Sequence, residues 1–64
     1  MNIENIKPLI ELMKIKDYVT VVKALHKPTQ RLMDIRQSSN NEVYCLDLKK
    51  FLHISNFEYY IKGE

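Results

Sequence analysis

LDLKKFLHISNFEYYIK, residues 46–62, is the stretch whose reading decides the fold. Asp47 is a capping residue type placed just before Leu48, Phe51 and Leu52, whose spacing predicts a short amphipathic helix. His53 then occupies a tight turn and Ile54 packs between two elements. Ser55-Asn56-Phe57-Glu58 follows as an S-x-x-E capping box, in which the Ser55 hydroxyl accepts from the Glu58 N–H and the carboxylate reaches back. A last helix starts there and ends at Gly63, the residue best suited to a left-handed position after a final turn. Two short helices joined in this way predict a helix-turn-helix, the first bracing and the second entering a major groove.

Outward from that stretch, the same spacing recurs. Ile6, Leu9, Ile10 and Met13 predict a first helix with Pro8 in its opening turn, where a missing N–H is harmless. Asp17 is suited to cap a second helix carrying Tyr18, Val21, Val22 and Leu25, although the β-branched run Val19-Thr20-Val21-Val22 competes as a strand. Thr29 caps a third, with Leu32, Met33 and Ile35, before the polar cluster Gln37-Ser38-Ser39-Asn40-Asn41 makes a loop. Glu42-Val43-Tyr44-Cys45 has the length and composition of an edge strand. The expectation is one mainly α domain spanning residues 1–64, a helix-turn-helix of four to five short helices with room for one short β-strand.

On these residues the chain resembles a known family. From Val22 to Lys62 it is similar to the core of winged-helix transcriptional repressors of the ArsR type and, less closely, of the MarR type. Lys23-Ala24-Leu25-His26-Lys27-Pro28-Thr29 resembles that family's helix junction, Glu42-Val43-Tyr44-Cys45-Leu46-Asp47-Leu48 its entry into the helix-turn-helix, and Phe51-Leu52-His53-Ile54-Ser55 its turn. The sequence stops at Glu64, before the family's wing and C-terminal helix, so the resemblance implies a truncated winged-helix-like domain. Tyr44 and Leu46 stand where metal-sensing members carry paired cysteines, and Asp34 stands at an apolar position of the family. Metal sensing is not implied.

Sixty-four residues with 45% hydrophobic content allow one small core, and the single Cys45 excludes an internal disulfide. Self-association, through the first helix, is the expected source of added stability. One cysteine, no signal peptide and no apolar run of membrane-spanning length predict a cytoplasmic protein without membrane partners. The formal charge is +2, and Lys14, Lys16, Lys23, Lys27, Arg31 and Arg36 form a central basic stretch able to meet phosphates. The expected function is therefore a small dimeric regulator of transcription that binds double-stranded DNA. Ser55, Asn56, Tyr59 and Lys62 would contact DNA from the recognition helix, and Lys49 and Lys50 from the bracing helix. The alternative is a phage-type or regulatory protein that occupies and inhibits a host protein, which the aromatic last helix and mild charge suit. His26, His53 and Cys45 show no metal-ligand spacing, so no cofactor or metal is expected. Neither a nucleophile motif nor a glycine-rich phosphate loop is present, so no enzymatic activity is expected.

Overall fold

The computed structural model describes residues 6–61. Six antiparallel strands and one helix replace the expected set of helices: β1 Ile6–Lys7, α1 Leu9–Ile15, β2 Val22–His26, β3 Arg31–Gln37, β4 Glu42–Cys45, β5 Lys50–His53 and β6 Phe57–Ile61, with a 3₁₀ turn Ile54–Asn56 before the last strand. The sheet order is β1-β6-β2-β3-β4-β5. The mainly α, truncated winged-helix-like reading is overturned, and with it the helix-turn-helix. Its bracing helix is a turn followed by β5, and its recognition helix is the 3₁₀ turn followed by β6.

The physical reason is period. Met33, Ile35 and Gln37 alternate inward along β3, Val43 and Cys45 along β4, and Ala24 and His26 along β2. Such runs are too short to exclude a helical i, i+3, i+4 fit, and their β-branched and aromatic residues suit a pleated surface. Turns interrupt them at residues 27–30, 38–41, 46–49 and 54–56, a rhythm of short strands.

Two expectations hold in substance. α1 forms, but it starts at Leu9: Ile6 lies in β1, and Pro8 is the N-cap and not a first-turn residue, with Glu11 in the first turn, Lys14 in the last, and Lys16 closing it at φ 59°. Its buried stripe is Leu9, Leu12 and Met13, and Ile10 points to solvent. A short strand also appears at Glu42–Cys45, as an interior strand between β3 and β5 and not at an edge, and the polar loop appears after Gln37, which itself ends β3. Asp17 caps no second helix: its carboxylate accepts from the Val19 and Thr20 N–H groups and the Thr20 hydroxyl, and so organises a bend ahead of β2.

Two hairpin turns share one design. Gln30 N–H donates to His26 C=O and Lys49 N–H to Cys45 C=O, both at 2.7 Å, and Gln30 and Lys49 each have φ 57°. Neither is glycine, so each turn carries a local conformational cost.

β5 and β6 lie at the two ends of a five-strand run, about 19 Å apart if the sheet were flat. Three residues join them. Ile54 N–H donates to Asn41 C=O at 2.9 Å, and Asn56 C=O accepts from Lys27 N–H at 2.8 Å. Asn41 lies beyond the Gln37 end of β3 and Lys27 beyond its Arg31 end. A straight seven-residue strand extends roughly 20 Å, whereas a 3₁₀ turn of three residues rises about 6 Å. One turn reaches both ends only because the sheet is sharply bent and curled toward a barrel. A bulge in β6 contributes: Ala24 faces Tyr60 and His26 faces Phe57, so two steps on β2 match three on β6. The extra residue turns both Phe57 and Tyr60 inward, which simple alternation forbids.

The core inside the curl comprises Leu9, Leu12, Met13, Ala24, Met33, Ile35, Val43, Cys45, Phe57 and Tyr60. Gln37, 1% exposed, donates from Nε2 to Met13 C=O at 3.1 Å and Ser39 C=O at 3.2 Å, tying the end of α1 to the β3–β4 turn. Cys45 is a free thiol 3.7 Å from the Met33 sulfur, a small apolar filler in this setting.

Candidate binding surface on the outer sheet face

Residues that alternate with the core point to the outer face of the sheet. Pairing of Arg36 with Tyr44 and of Tyr44 with Phe51 sets three side chains in one row across β3, β4 and β5. The Arg36 guanidinium carbon lies 5.1 Å from the Tyr44 ring centroid, within cation–π range. Tyr44 and Phe51 meet edge to face, with centroids 5.0 Å apart and planes at 66°. Each ring holds its neighbour in place, and the end of the row is open: Phe51 is 60% exposed. A large aromatic group left in water this way forfeits a sizeable part of the roughly 1.5–3 kcal/mol that full burial supplies.

Apolar groups extend beyond the row. Leu32 on β3, Val21 just before β2 and Leu48 in the β4–β5 turn are exposed, as are Tyr18 and Val19 in the loop that Asp17 organises. The Asp17 carboxyl is held below its ordinary pKa by the Thr20 hydroxyl first and by the Val19 and Thr20 N–H groups next. That order persists above the usual carboxylate range and is lost as pH falls through the lowered value.

On the same face Lys23 and Asp34, directly opposed on β2 and β3, form an ion pair at 2.9 Å. The Lys23 ammonium is held above its ordinary pKa by its hydrogen bond to Asp34 and by that residue's charge. Both groups are open to solvent, and the pair mainly neutralises one cation of the central basic stretch.

The residues expected to contact DNA do not form one surface through a helix. Lys49 sits in the β4–β5 turn and Lys50 opens β5, so both border Phe51. Ser55 and Asn56 lie in the 3₁₀ turn and bond locally: the His53 ring Nδ1 lies 2.9 Å from the Ser55 hydroxyl and accepts from its N–H, and Asn56 Nδ2 donates to His53 C=O at 3.1 Å. His53 thus takes the capping part expected of Ser55 and Glu58. Tyr59 is half-buried on β6, separated from β4 in the strand order by β2 and β3. Lys62 and Gly63 lie outside the described residues.

Sequence reasoning missed Arg36, Tyr44 and Phe51 as a set. The available signal was alternation: once Val43, Cys45 and Leu52 are taken as inward, Tyr44 and Phe51 must share the opposite face. Among the described residues, no group of three His, Cys, Asp or Glu side chains converges as a metal site. No helix there is long and apolar enough to cross a membrane. No family model, curated protein or solved structure matches the chain.

Proposed function

We propose that this chain is a small, non-catalytic protein-binding domain whose contact surface is the outer sheet face centred on Arg36, Tyr44 and Phe51. The observation that carries the reading is the stacked row itself, ending in a Phe51 ring that is 60% exposed. Tyr and Arg dominate the energetics of protein interfaces when they sit together in a patch from which water can be excluded. Val21, Leu32 and Leu48 add exposed apolar groups on or next to the strands that carry the row. The charge balance favours a protein over DNA. Arg36 is engaged by Tyr44, Lys23 by Asp34, and the net charge is only +2. A buried free cysteine suits the cytoplasm as the working compartment.

The test is affinity capture from host extract with the wild type and with Phe51→Ala and Tyr44→Ala, each verified as folded by circular dichroism. A stoichiometric partner retained by the wild type and weakened at least about tenfold by either change supports the reading. A partner held equally by all three proteins overturns it. Tight binding of double-stranded or single-stranded DNA that collapses with added salt also overturns it, because several phosphate contacts impose that dependence.

A further inference from the structure

β5 is an edge strand. It pairs with β4 alone among the described strands, and its direction of hydrogen bonding can be read from its neighbours. Ile54 N–H donates to Asn41 C=O, so in an antiparallel ladder Leu52 and Lys50 also turn their backbone groups toward β4, opposite Val43 and Cys45. Consistently, Glu42 C=O accepts from Ser38 and Ser39 on the opposite side of β4. Phe51 and His53 are left with backbone groups directed to the free edge. Natural edges are usually blunted by proline, a bulge or inward-pointing charge. This one has neither proline nor bulge; its one inward-phase charge, Lys50 opposite Cys45, stands at the first residue and leaves the Phe51–His53 segment unblunted.

We propose that β5 pairs antiparallel with β5 of a second copy of this chain, about a two-fold axis at Leu52, joining the two sheets edge to edge. The proposal stands independently of the partner-binding reading above. Three arguments select this occupant and this register. A two-fold axis perpendicular to the sheet keeps outer faces together, so outward residues must oppose outward residues. Registers centred on Phe51, Leu52 or His53 all satisfy that condition, but centring on His53 sets Phe51 against Ser55 of the second copy, which lies in the 3₁₀ turn, and keeps only its central pair.

Centred on Leu52, the pairing sets Phe51 against His53 of the second copy, and His53 against its Phe51. Each of these pairs exchanges two backbone hydrogen bonds, four in all by the antiparallel pattern. The His53 C=O already accepts from Asn56 Nδ2 and has a second lone pair free. Centred on Phe51, the alternative requires Lys49 to pair with His53 of the second copy, yet Lys49 is in a left-handed turn conformation at φ 57°. That register supplies only its central pair.

Side chains agree with the backbone. Centring on Leu52 prolongs the inner apolar row from Val43 through Leu52 to Leu52 and Val43 of the second copy. Outside, Phe51 gains His53 of the second copy beside it, and behind that residue stands Glu42, its partner on β4. The outer row therefore runs from the Arg36 cation through two aromatic rings and an imidazole to a carboxylate, and no lysine opposes another. A four-residue edge buries less area than the roughly 1,200 Å² of a standard stable interface. The dimer is accordingly weak, with a dissociation constant in the range of about 10 µM to 1 mM.

Sedimentation velocity of the full chain across that range tests the proposal, with His53→Pro as the decisive variant. His53 already has φ −69°, which proline adopts, and its N–H points to the free edge, so the change removes an intermolecular donor; it also removes the imidazole that caps the Ser55 N–H, and His53→Ala, which loses the same cap but keeps the donor, is the control. Leu52→Cys gives a second measurement, since non-hydrogen-bonded antiparallel pairs hold Cα atoms about 4.5 Å apart, within disulfide reach. The expected results are a concentration-dependent wild-type dimer, a His53→Pro dissociation constant raised at least about tenfold in a folded protein, and oxidation of Leu52→Cys to a covalent dimer. A wild type that stays monomeric throughout overturns the proposal. So does a dimer indifferent to His53→Pro, or one in which Leu52→Cys fails to cross-link while Lys50→Cys succeeds.

Discussion

Lys23-Ala24-Leu25-His26 in β2 and Lys50-Phe51-Leu52-His53 in β5 differ at one residue, yet they present opposite sides to the core. In β2, Ala24 and His26 face inward and Lys23 and Leu25 outward; in β5, Leu52 turns inward and Phe51 and His53 outward. β2 lies between β3 and β6 beneath the deepest part of the curl, where Ala24 has 0% exposure, while β5 closes one edge. Four residues do not choose their own face. The neighbours that fix register do, and the one differing side chain marks which location has room: a methyl where layers meet, a phenyl ring where nothing covers it.

Exchanging that residue breaks the comparison most severely. Ala24→Phe, which gives β2 the tetrapeptide of β5, forces a ring into filled space and is expected to cost about 3 kcal/mol or more, enough to unfold so small a domain. Phe51→Ala, the reverse change, is expected to shift stability by less than about 1 kcal/mol, because the ring is mostly in water. Chemical denaturation of both variants checks the contrast, and equal losses would refute it.

The two histidines separate the locations less sharply. His26 is buried, its Nδ1 2.9 Å from the Thr29 hydroxyl and its ring 5.3 Å from Phe57, so His26→Ala is expected to cost about 2–3 kcal/mol through lost packing and a lost hydrogen bond. His53→Ala removes an exposed cap of the 3₁₀ turn and is expected to cost about 0.5–1 kcal/mol. Thermal melts of the pair measure the difference. The smallest effect concerns the turn that leaves β2 and the turn that enters β5. Gln30→Gly and Lys49→Gly each relieve a left-handed residue and are expected to stabilise by up to about 0.5 kcal/mol, since glycine's added freedom in the unfolded chain offsets part of the gain. A loss in either variant would show that the side chain itself holds its turn; Gln30 is the candidate, as its Nε2 donates to Lys27 C=O.

Much of the punctuation was legible in the sequence. Pro8 marks the start of α1, Asp17 organises a turn, the cluster after Gln37 is a loop, and Glu42–Cys45 is a strand. The elements between those marks were not legible, because Leu48, Phe51 and Leu52 satisfy a helical spacing while Phe51 and Leu52 in fact straddle a pleat. The competing strand assignment for Val19-Thr20-Val21-Val22 was correct only for Val22, where β2 begins; the three residues before it lie in the preceding loop. His53 illustrates the remaining difficulty. It was read as a turn residue and is one, but the turn joins strands, and that depends on pairing between residues far apart in the chain. The candidate surface was half visible: Lys49 and Lys50 border it, whereas Arg36 and Tyr44 reach Phe51 only through register.

The closing strand has a consequence for how the domain is made. β2, β3, β4 and β5 form a meander of hairpins with short connections, each able to zip as soon as its two arms exist. β6 must instead return to β2 across some thirty intervening residues, an encounter that pays a larger loop-closure cost than any hairpin of the meander. It is also the last of the described strands to leave the ribosome. Until it arrives, one side of β2 has no partner and Phe57 and Tyr60 are missing from the core, so every newly made copy passes through a stage in which β2, an interior strand of the finished sheet, is an open edge.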